Sequence, residues 1–336
     1  MERWLRWCTT VIGMLFVFLV GMLLLEKEGQ GDTKDNKAIF QLAEIHESSY
    51  PTSLANVKFA ELVKERTNGR IEIQVYSGGL LGDEVDVIEK LQLGTVEFAR
   101  ISMAPVAEFV NKMYVLMLPY LYEDSAHMWR VLESNIGEEM LASVRDAGLI
   151  GLAWYDSGAR SFYMTEEVRE AQDMRGKRIR VQMNSVMFAM GEALGAKPQM
   201  IPESEINDAI VSKSIDGAEN NIPTYESFKQ YEVCPYYIMD EHIRIPDLLV
   251  GSQIALMGLS HEEMEIIKEC AKEAQEYEKI LWYQREQESI QNLKEKGVVF
   301  IELSKAEKQS FVTACESLYK EFGGEYLNLV WEMKRK

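Results

Sequence analysis

Hydrophobic positions near the start of the folded body repeat first with the period of a helix and then with that of a strand. Apolar side chains recur at helical spacing before Gly69, at Leu54, Val57, Ala60 and Val63. Thr52 or Ser53 can cap this helix. Residues 71–75 then alternate apolar and polar side chains, as in a half-buried strand. With an apolar run that starts at Ile39, the pattern predicts a β-α-β unit.

The later chain alternates strand-like and helix-like segments, which predicts the α/β class. We expect strands at residues 96–102, 149–155, 178–181, 245–252 and 298–301. We expect helices at residues 83–94, 126–132, 138–147, 185–194, 203–211, 304–322 and 325–336. Residues 113–122 contain Pro119 and suit a packed loop or strand better than a helix.

One helix is expected to be much longer than the others. Ser260 and Glu263 form a capping box, and helical composition continues to Lys296. A helix of about 35 residues is about 50 Å long. Because this exceeds the size of one small lobe, we expect the helix to lie along two lobes.

The N-terminus has the pattern of an export signal. Arg3 and Arg6 precede an apolar run over residues 11–25. Residues 5–25 approach the roughly 20 residues that span a bilayer. The small-residue triplet at 29–31 is a poor cleavage site, so an uncleaved signal anchor is preferred to a cleaved signal. We therefore expect an extracytoplasmic protein, periplasmic or at the cell surface, with its folded body tethered by residues 26–37.

Composition excludes several classes of function. The 336 residues carry 36 Lys and Arg against 54 Asp and Glu, a net charge of −18, which argues against a nucleic-acid partner. An anionic ligand would need a local basic focus, for which Arg160 and Arg180 are the candidates. No C-x-x-C or Cys/His spacing indicates a metal site or a disulfide framework, and we expect buried thiols at Cys234, Cys270 and Cys315. We expect no cofactor and no metal.

Three segments within residues 158–221 place polar groups at the ends of apolar runs. They are Gly-Ala-Arg-Ser-Phe-Tyr from Gly158, Met-Arg-Gly-Lys-Arg-Ile-Arg-Val from Met174, and Ile-Asp-Gly-Ala-Glu-Asn-Asn from Ile215. Open α/β sheets place ligand contacts at such strand ends. Two guanidiniums and a carboxamide, with a glycine that lets backbone come close, suit a small carboxylate.

The ordered set of these segments resembles the solute-receptor (DctP-like) family of TRAP transporters over roughly residues 38–325. The resemblance implies two lobes, a hinge and a long helix that spans both. It also implies that Arg180 clamps the ligand carboxylate, that Arg160 assists it and that Asn220 bonds the same end. The implied contacts with the rest of the ligand are Glu84, Ser102 and Glu203, and Glu44 and His46 after the first strand are further candidate acceptors.

We therefore expect a two-lobed periplasmic-binding-protein-like fold with a hinge near Ser157 and Ile245. The first lobe is expected at residues 38–157 and 246–286, and the second at residues 158–245 and 287–336. Arg100 is expected to be a solvated or interlobe arginine rather than a ligand contact. The protein is expected to be a monomer whose partners are the small and large membrane subunits of a TRAP carrier.

The expected ligand is a sugar acid, a hexuronate or aldonate rather than succinate or malate. A polyhydroxylated monocarboxylate suits the carboxylate acceptors, whereas a second ligand carboxylate would be repelled by Glu84 and Glu203. The alternatives are a C4-dicarboxylate receptor, a receptor of a signalling complex, and a hydrolase or lyase that acts on acidic sugars. The sequence contains neither G-x-S-x-G nor H-E-x-x-H, so the enzyme hypothesis rests on a possible Glu203 and Glu219 carboxylate pair.

Overall fold

The structure is a computed structural model that describes residues 37–334. The expected signal anchor and most of the tether lie outside the described residues. Within residues 37–334, no helix combines the length and apolar character needed to cross a bilayer.

A five-stranded sheet is built from strands β1 to β4 and β10, in the order β2-β1-β3-β10-β4. Strands β1 and β3 are parallel, and β10 runs antiparallel to β3 and β4. The bounds are β1 Ala38–Ala43, β2 Ile71–Tyr76, β3 Phe98–Ser102, β4 Leu149–Tyr155 and β10 Asp247–Ser252. The expected β-α-β start is confirmed.

A six-stranded sheet follows the order β11-β9-β5-β8-β6-β7. Strand β6 is parallel to β7 and β8, whereas β5 is antiparallel to β8 and β9. The bounds are β5 Ser161–Met164, β6 Arg178–Val181, β7 Lys197–Met200, β8 Gly217–Asn220, β9 Tyr236–Ile238 and β11 Val299–Ile301. The chain thus builds nearly all of one sheet before it begins the other, and β10 returns to the first.

Eleven α-helices surround the sheets in the described part of the chain. They are α1 Pro51–Arg66, α2 Glu84–Gln92, α3 Met103–Ala107, α4 Ser125–Leu132, α5 Asn135–Ser143, α6 Ser185–Ala193, α7 Ile206–Val211, α8 Ile222–Ser227, α9 His261–Glu295, α10 Lys305–Phe322 and α11 Leu327–Glu332. Short 3₁₀ turns include Asn111–Met117, Val144–Ala147 and Glu203–Glu205. The loop or strand expected at residues 113–122 is therefore partly a 3₁₀ helix, and the helix expected at 203–211 begins with a 3₁₀ turn.

The buried face of α1 is partly the expected one. Ala60 and Val63 are buried as expected, but Leu54 and Val57 are 37% and 42% exposed, and Phe59 is fully buried instead. The helix packs against both β2 and α9, and its first turn faces the protein interior. Polar positions are buried for this reason, since Thr52 donates a hydrogen bond to the Glu44 carboxylate at 2.8 Å.

Helix α9 joins the two sheets, as expected for the long helix. Ser260 caps it through the expected reciprocal bonds with Glu263, and its 35 residues end at Glu295. The helix packs against α1 and β4 at the first sheet and against α8 at the second. Leu293, near its end, belongs to the core beside the second sheet.

Two further segments connect the sheets, residues 156–160 between β4 and β5 and residues 239–246 between β9 and β10. The Arg160 amide donates to the Ile243 carbonyl at 2.8 Å, so the two connections are bonded to each other. The expected hinge residues Ser157 and Ile245 lie in these segments. One cluster of buried apolar side chains, which includes Trp154 and Phe162, continues past the connections from one sheet to the other.

The C-terminal helix contacts the first lobe as well as the second. His127 and Arg130 on α4 bond the carbonyls of Val330 and Met333 at 2.9 and 3.1 Å. The three described cysteines are buried free thiols, as expected. Strand β9 and helix α8 were not anticipated from the pattern, because both are short.

Gly217 provides a test of the close strand packing near the second sheet's centre. A Cβ atom at this position would lie 2.5 Å from the Tyr163 carbonyl oxygen and 2.3 Å from the Met164 sulfur. We expect Gly217→Ala to lower the free energy of unfolding by about 1–3 kcal/mol because of overpacking. Gly258→Ala is the matched control, since nothing lies within 4 Å of its Cβ position. Urea unfolding measures both, and equal stabilities would contradict the close packing.

Candidate functional site

A cavity of about 250 Å³ lies between the two sheets. Pockets for drug-sized ligands occupy roughly 300–1,000 Å³, so this one suits a single small molecule. Seven of the eight expected site residues line it: His46, Glu84, Ser102, Arg160, Arg180, Glu203 and Asn220. Ser102 is last in β3, Asn220 is last in β8, and Arg160 directly precedes β5. The structure therefore brings seven of the predicted residues together at one cavity.

Arg180 lies inside β6 and is held at one side only. Its Nε donates to the Ile201 carbonyl at 2.8 Å, and the residue is 4% exposed. Its Nη1 lies 3.2 Å from Glu203 and 3.7 Å from Glu219, but it makes no hydrogen bond with residues 37–334. A guanidinium anchored through Nε in this way can direct its outer nitrogens to a carboxylate.

Arg160 is committed to Glu219 on the neighbouring strand. Its Nη2 donates to the Glu219 carbonyl at 2.9 Å and to Oε1 at 3.1 Å, and its Nε donates to Oε2 at 2.5 Å. Arg160 precedes β5 and Glu219 lies on β8, so the antiparallel pairing of these strands brings the two together. Most N–H donors of Arg160 are therefore used in hydrogen bonds with Glu219 inside the wall of the cavity.

Glu219 is the buried centre of an ionic network. Burial opposes its ionisation, but Arg160, His242 and Arg180 outweigh burial and lower the pKa of Glu219 to about 2. His242 bonds Asp240 through Nδ1 at 2.9 Å and stacks on Phe162. Burial disfavours the charged imidazole, yet Asp240 and Glu219 raise the pKa of His242. Glu219 is fully buried and does not line the cavity, so it cannot form the carboxylate pair with Glu203 that a glycosidase would need.

Glu203 faces the cavity from the 3₁₀ turn before α7. Both of its oxygens accept from Asn220 Nδ2 at 3.2 Å, and Oε1 also accepts from Gln230 Nε2 at 2.6 Å. Asn220 is itself oriented, because its Oδ1 accepts from the Asn221 amide at 2.9 Å. Glu203, Asn220 and Arg180 therefore form one hydrogen-bonded and ionic group on the second lobe.

Arg100 was expected to be solvated or interlobe, and the structure instead buries it at the cavity wall of the first lobe with 2% exposure. It contacts three carboxylates: Glu44 at 2.8 Å, Glu84 at 3.0 Å and Asp247 at 3.3 Å. Burial raises the pKa of Glu84 and raises that of Asp247 to about 7, although Arg100 acts in the opposite direction in both cases.

Glu44 is the expected acceptor that the structure places outside the cavity lining. Its carboxylate accepts from Arg100, from Thr52 at 2.8 Å and from Asn56 Nδ2 at 3.1 Å. It also accepts from the amide of His46 at 3.0 Å. The buried first turn of α1 supplies two of these donors, so Glu44 positions Arg100 and is enclosed behind it.

His46 and Ser102 are the remaining expected residues at the wall of the first lobe. The His46 ring stacks on Tyr50 with centroids 3.8 Å apart, and burial, with Arg100 and Arg160, lowers its pKa well below the usual value. Ser102 Oγ accepts from Gln182 Nε2 at 3.2 Å. Because Gln182 follows β6, this bond crosses the cavity from one lobe to the other.

Several lining residues were missed at the sequence level. They are Asp83, Asp86, Arg100, Ser157, Gln182, Asn221, Thr224 and Asp247. Gln182 could have been found from strand periodicity, because it is two residues after Arg180 and shares its side of the strand. Asp247 carried a weaker signal, as the first residue of a strand that returns to the first sheet. Within residues 37–334, no group of three or more His, Cys, Asp or Glu is arranged to hold a metal.

Glu219→Gln tests the ionic network without changing side-chain shape. At pH 7 we expect the free energy of unfolding to fall by about 3–5 kcal/mol, because Arg160 is left buried without its counter-charge. The lowered pKa of Glu219 stabilises the folded wild type above an ordinary carboxyl pKa near 4.5, and this stabilisation is lost as the pH falls toward about 2. The difference in the free energy of unfolding between the wild type and Glu219→Gln should therefore become smaller as the pH falls from 4.5 toward about 2. Denaturant unfolding at pH 7 and pH 3 measures it, with exposed Glu265→Gln as control.

Comparisons with known proteins agree with this geometry. Residues 42–325 match the family model DctP, described as bacterial extracellular solute-binding protein, family 7. A solute-binding protein of Chromohalobacter salexigens is 34% identical over 286 residues, which cover 85% of this chain and 84% of the relative.

Two crystal structures of TRAP periplasmic solute-binding proteins are also similar. The protein from Bradyrhizobium sp. BTAi1, in complex with α/β-D-galacturonate, has a TM-score of 0.84 and 36% identity over 88% of this chain and 98% of its own. The protein from Pseudomonas putida F1, with bound D-glucuronate, has a TM-score of 0.85 and 33% identity over 89% of this chain and 97% of its own.

These matches confirm the resemblance seen in the sequence and the two-lobed α/β fold. The family is one of solute-binding receptors rather than enzymes, and its members bind small carboxylates and work with membrane carrier subunits. The chain belongs to the extracellular solute-binding protein family 7, the DctP family of TRAP solute receptors.

Proposed function

We propose that this protein is an extracytoplasmic receptor that binds a sugar acid, a hexuronate or aldonate, and delivers it unchanged to a TRAP membrane carrier. The observation that carries the proposal is the composition of the cavity wall. Nη1 of buried Arg180 has no hydrogen bond within residues 37–334, and most of the other polar side chains that line the cavity can accept one. The galacturonate and glucuronate bound by the two structural relatives support the same ligand class.

The ligand carboxylate belongs on Arg180 in this proposal. Arg180 is anchored through Nε to Ile201, which leaves its terminal nitrogens for a bidentate contact. Arg160 assists by holding Glu219 in place rather than by donating most of its own hydrogen bonds to the ligand. Asn220 donates to the same end of the ligand, and this hydrogen bond replaces the one that Asn220 makes with Glu203.

The ligand hydroxyls belong on the acceptors of the opposite wall. Glu84 and Ser102 present oxygen atoms from that wall, and neutral His46 adds a ring nitrogen. Glu203 adds a further acceptor from the wall of Arg180. A second ligand carboxylate would meet the Glu84 carboxylate across a buried space and would suffer like-charge repulsion. This charge pattern favours a polyhydroxylated monocarboxylate over a C4-dicarboxylate.

The two lobes are proposed to close on the ligand about the connections at residues 156–160 and 239–246. Three contacts support a closed arrangement in this structure, because each joins residues of opposite sheets across the cavity mouth. Gln182 bonds Ser102 at 3.2 Å, Asn184 Nδ2 bonds the Ala104 carbonyl at 2.9 Å, and the Ser185 amide bonds Glu108 at 2.7 Å. Closure would exclude water and strengthen the arginine contact.

The remaining parts of the proposal concern location and assembly. The signal-like N-terminus supports export, and we propose that it is retained as a membrane anchor. We propose that the receptor acts as a monomer, with the membrane carrier as its partner. Recovery of the bound acid unchanged after prolonged incubation would distinguish this receptor from an enzyme that acts on acidic sugars.

Arg180→Lys tests the proposed clamp. Lysine keeps the charge but loses the planar fork, so we expect the affinity for D-galacturonate or D-glucuronate to fall by about 2–4 kcal/mol. Arg178→Lys is the matched control, because Arg178 lies on the same strand but bonds Asp216 outside the cavity. Isothermal calorimetry measures both variants. An Arg180→Lys affinity equal to that of the control would remove Arg180 from the site.

A competition assay tests the ligand class. We expect at least one hexuronate or aldonate to displace a bound tracer at lower concentration than succinate or malate, because the acceptor-rich wall binds hydroxyl groups. Glu203→Gln should narrow this preference, since it removes one negative charge while it keeps a similar shape. Tighter binding of succinate or malate than of every sugar acid tested would favour the dicarboxylate receptor and place Glu203 outside the ligand contacts.

A further inference from the structure

The walls around the cavity contain more carboxylates than guanidiniums. Three arginines, Arg100, Arg160 and Arg180, are in ionic contact with five carboxylates, Glu44, Glu84, Glu203, Glu219 and Asp247. With every group ionised, this buried set carries two excess negative charges. An anionic ligand adds a third in a region where water cannot screen it, which is unfavourable unless one carboxylate becomes neutral.

The excess is concentrated around Arg100. Glu44 accepts from three other donors besides Arg100, and Glu84 accepts from the Ser102 amide at 2.8 Å. Fewer groups stabilise the ionised carboxylate of Asp247. Within residues 37–334 its side chain accepts no hydrogen bond, and its one ion-pair contact is Arg100 Nη1 at 3.3 Å. Asp247 is therefore the carboxylate whose ionised form is least stabilised by its surroundings.

Charged and titratable groups surround Asp247, and its partner across the strand pair with β4 is the buried Tyr155. Arg100 on β3 and Arg160 favour its ionised form, whereas Glu84 on α2 and Glu44 after β1 oppose it. Buried Glu278 on α9 and Tyr50 before α1 are also electrostatically coupled to it. Burial is the largest influence, and the resulting pKa of Asp247 is about 7.

We propose that binding of the anionic ligand is coupled to the uptake of one proton from solvent, and that Asp247 holds this proton in the complex. The proposal rests on the proposed function, because it requires a carboxylate ligand on Arg180. Protonation removes one of the two excess charges. It also converts Asp247 from an acceptor into a hydroxyl donor that can bond a ligand oxygen.

The direction of the pH dependence follows from linkage. The free protein is mostly protonated at Asp247 at pH 6, whereas at pH 8 only about one molecule in ten is protonated when the pKa is about 7. The negative ligand raises this pKa further in the complex. Affinity should therefore be nearly constant below pH 6 and should fall by up to about tenfold per pH unit above pH 7, until the pKa of the complex is reached.

Calorimetric titration with D-galacturonate separates ligand binding from proton uptake when it is repeated in two buffers of different ionisation enthalpy, phosphate and Tris at pH 8 and phosphate and Bis-Tris at pH 6. We expect the wild type to take up close to one proton at pH 8 and much less at pH 6. Asp247→Asn should bind with little pH dependence and without uptake. Asp216→Asn is the matched control, since its carboxylate pairs with Arg178 away from the cavity. It should behave as the wild type.

Wild-type binding heats at pH 8 that are independent of the buffer would overturn the proposal without any variant. Proton uptake that persists in a folded Asp247→Asn protein would overturn the assignment to Asp247. If that variant does not fold, Glu84→Gln provides the second test. It should move the uptake toward lower pH, because it removes one of the charges that oppose ionisation of Asp247, and an unchanged profile would contradict the proposal.

The outcome also separates this inference from the proposed function. Binding of D-galacturonate without proton uptake leaves the receptor proposal intact and defeats only the coupling. If no sugar acid binds, the proposed ligand class fails. The same calorimetry with whichever carboxylate binds then tests the coupling, because the charge argument requires only an anion on Arg180.

Discussion

The bond between Arg160 and Glu219 is the interaction on which the rest of the site depends. It joins a connection between the sheets to a central strand of the second sheet, and both side chains are buried. Glu219 also lies 3.7 Å from Arg180 and 3.8 Å from His242, so one carboxylate is the counter-charge near three cationic or titratable groups. A buried ion pair is weak evidence of net stabilisation, but removal of one partner is costly. The network is therefore better understood as a positioning device, which aims Arg180 at the cavity.

The same network bears on how the lobes can move. The Arg160 amide donates a hydrogen bond to the Ile243 carbonyl, so the two connections between the sheets are bonded to each other. Helix α9 is the third connection, and it packs against elements of both sheets. A movement of the lobes about these connections would change backbone dihedral angles at a few residues. The arginine network would move together with the second lobe. The contacts that cross the cavity mouth are few hydrogen bonds, one each from Gln182 and Asn184 and two from Ser185 to the Glu108 carboxylate.

Local signals made much of this arrangement readable from sequence. Alternation located β2, a reciprocal capping box located the start of α9, and the polar groups at the ends of apolar runs identified several residues that line the cavity. These features depend on neighbours close in the chain. The buried face of α1 was predicted correctly at Ala60 and Val63 but not at Leu54 and Val57. Arg100 was not recognised as a cavity residue, and both errors concern features that depend on packing from elsewhere in the chain. Glu44 lies close to the cavity, as predicted, but behind its lining. The reason is that Thr52 and Asn56 of α1 pack against it and bond its carboxylate.

The excess of carboxylates raises the question of how a protein with a net charge of −18 can bind an anion. Charges on the outer surface are screened by salt over about 8–10 Å, so they have little influence on a buried contact. Within the cavity the charges are arranged by position, with Arg180 at one wall and, at the other, Arg100 in contact with the three carboxyl groups of Glu44, Glu84 and Asp247. A single ligand carboxylate at the arginine wall is attracted, while a second at the opposite wall is repelled. The acidic groups of the site therefore make it selective among anionic ligands. A ligand hydroxyl can donate a hydrogen bond to a carboxylate of the site, whereas a second ligand carboxylate is repelled by it.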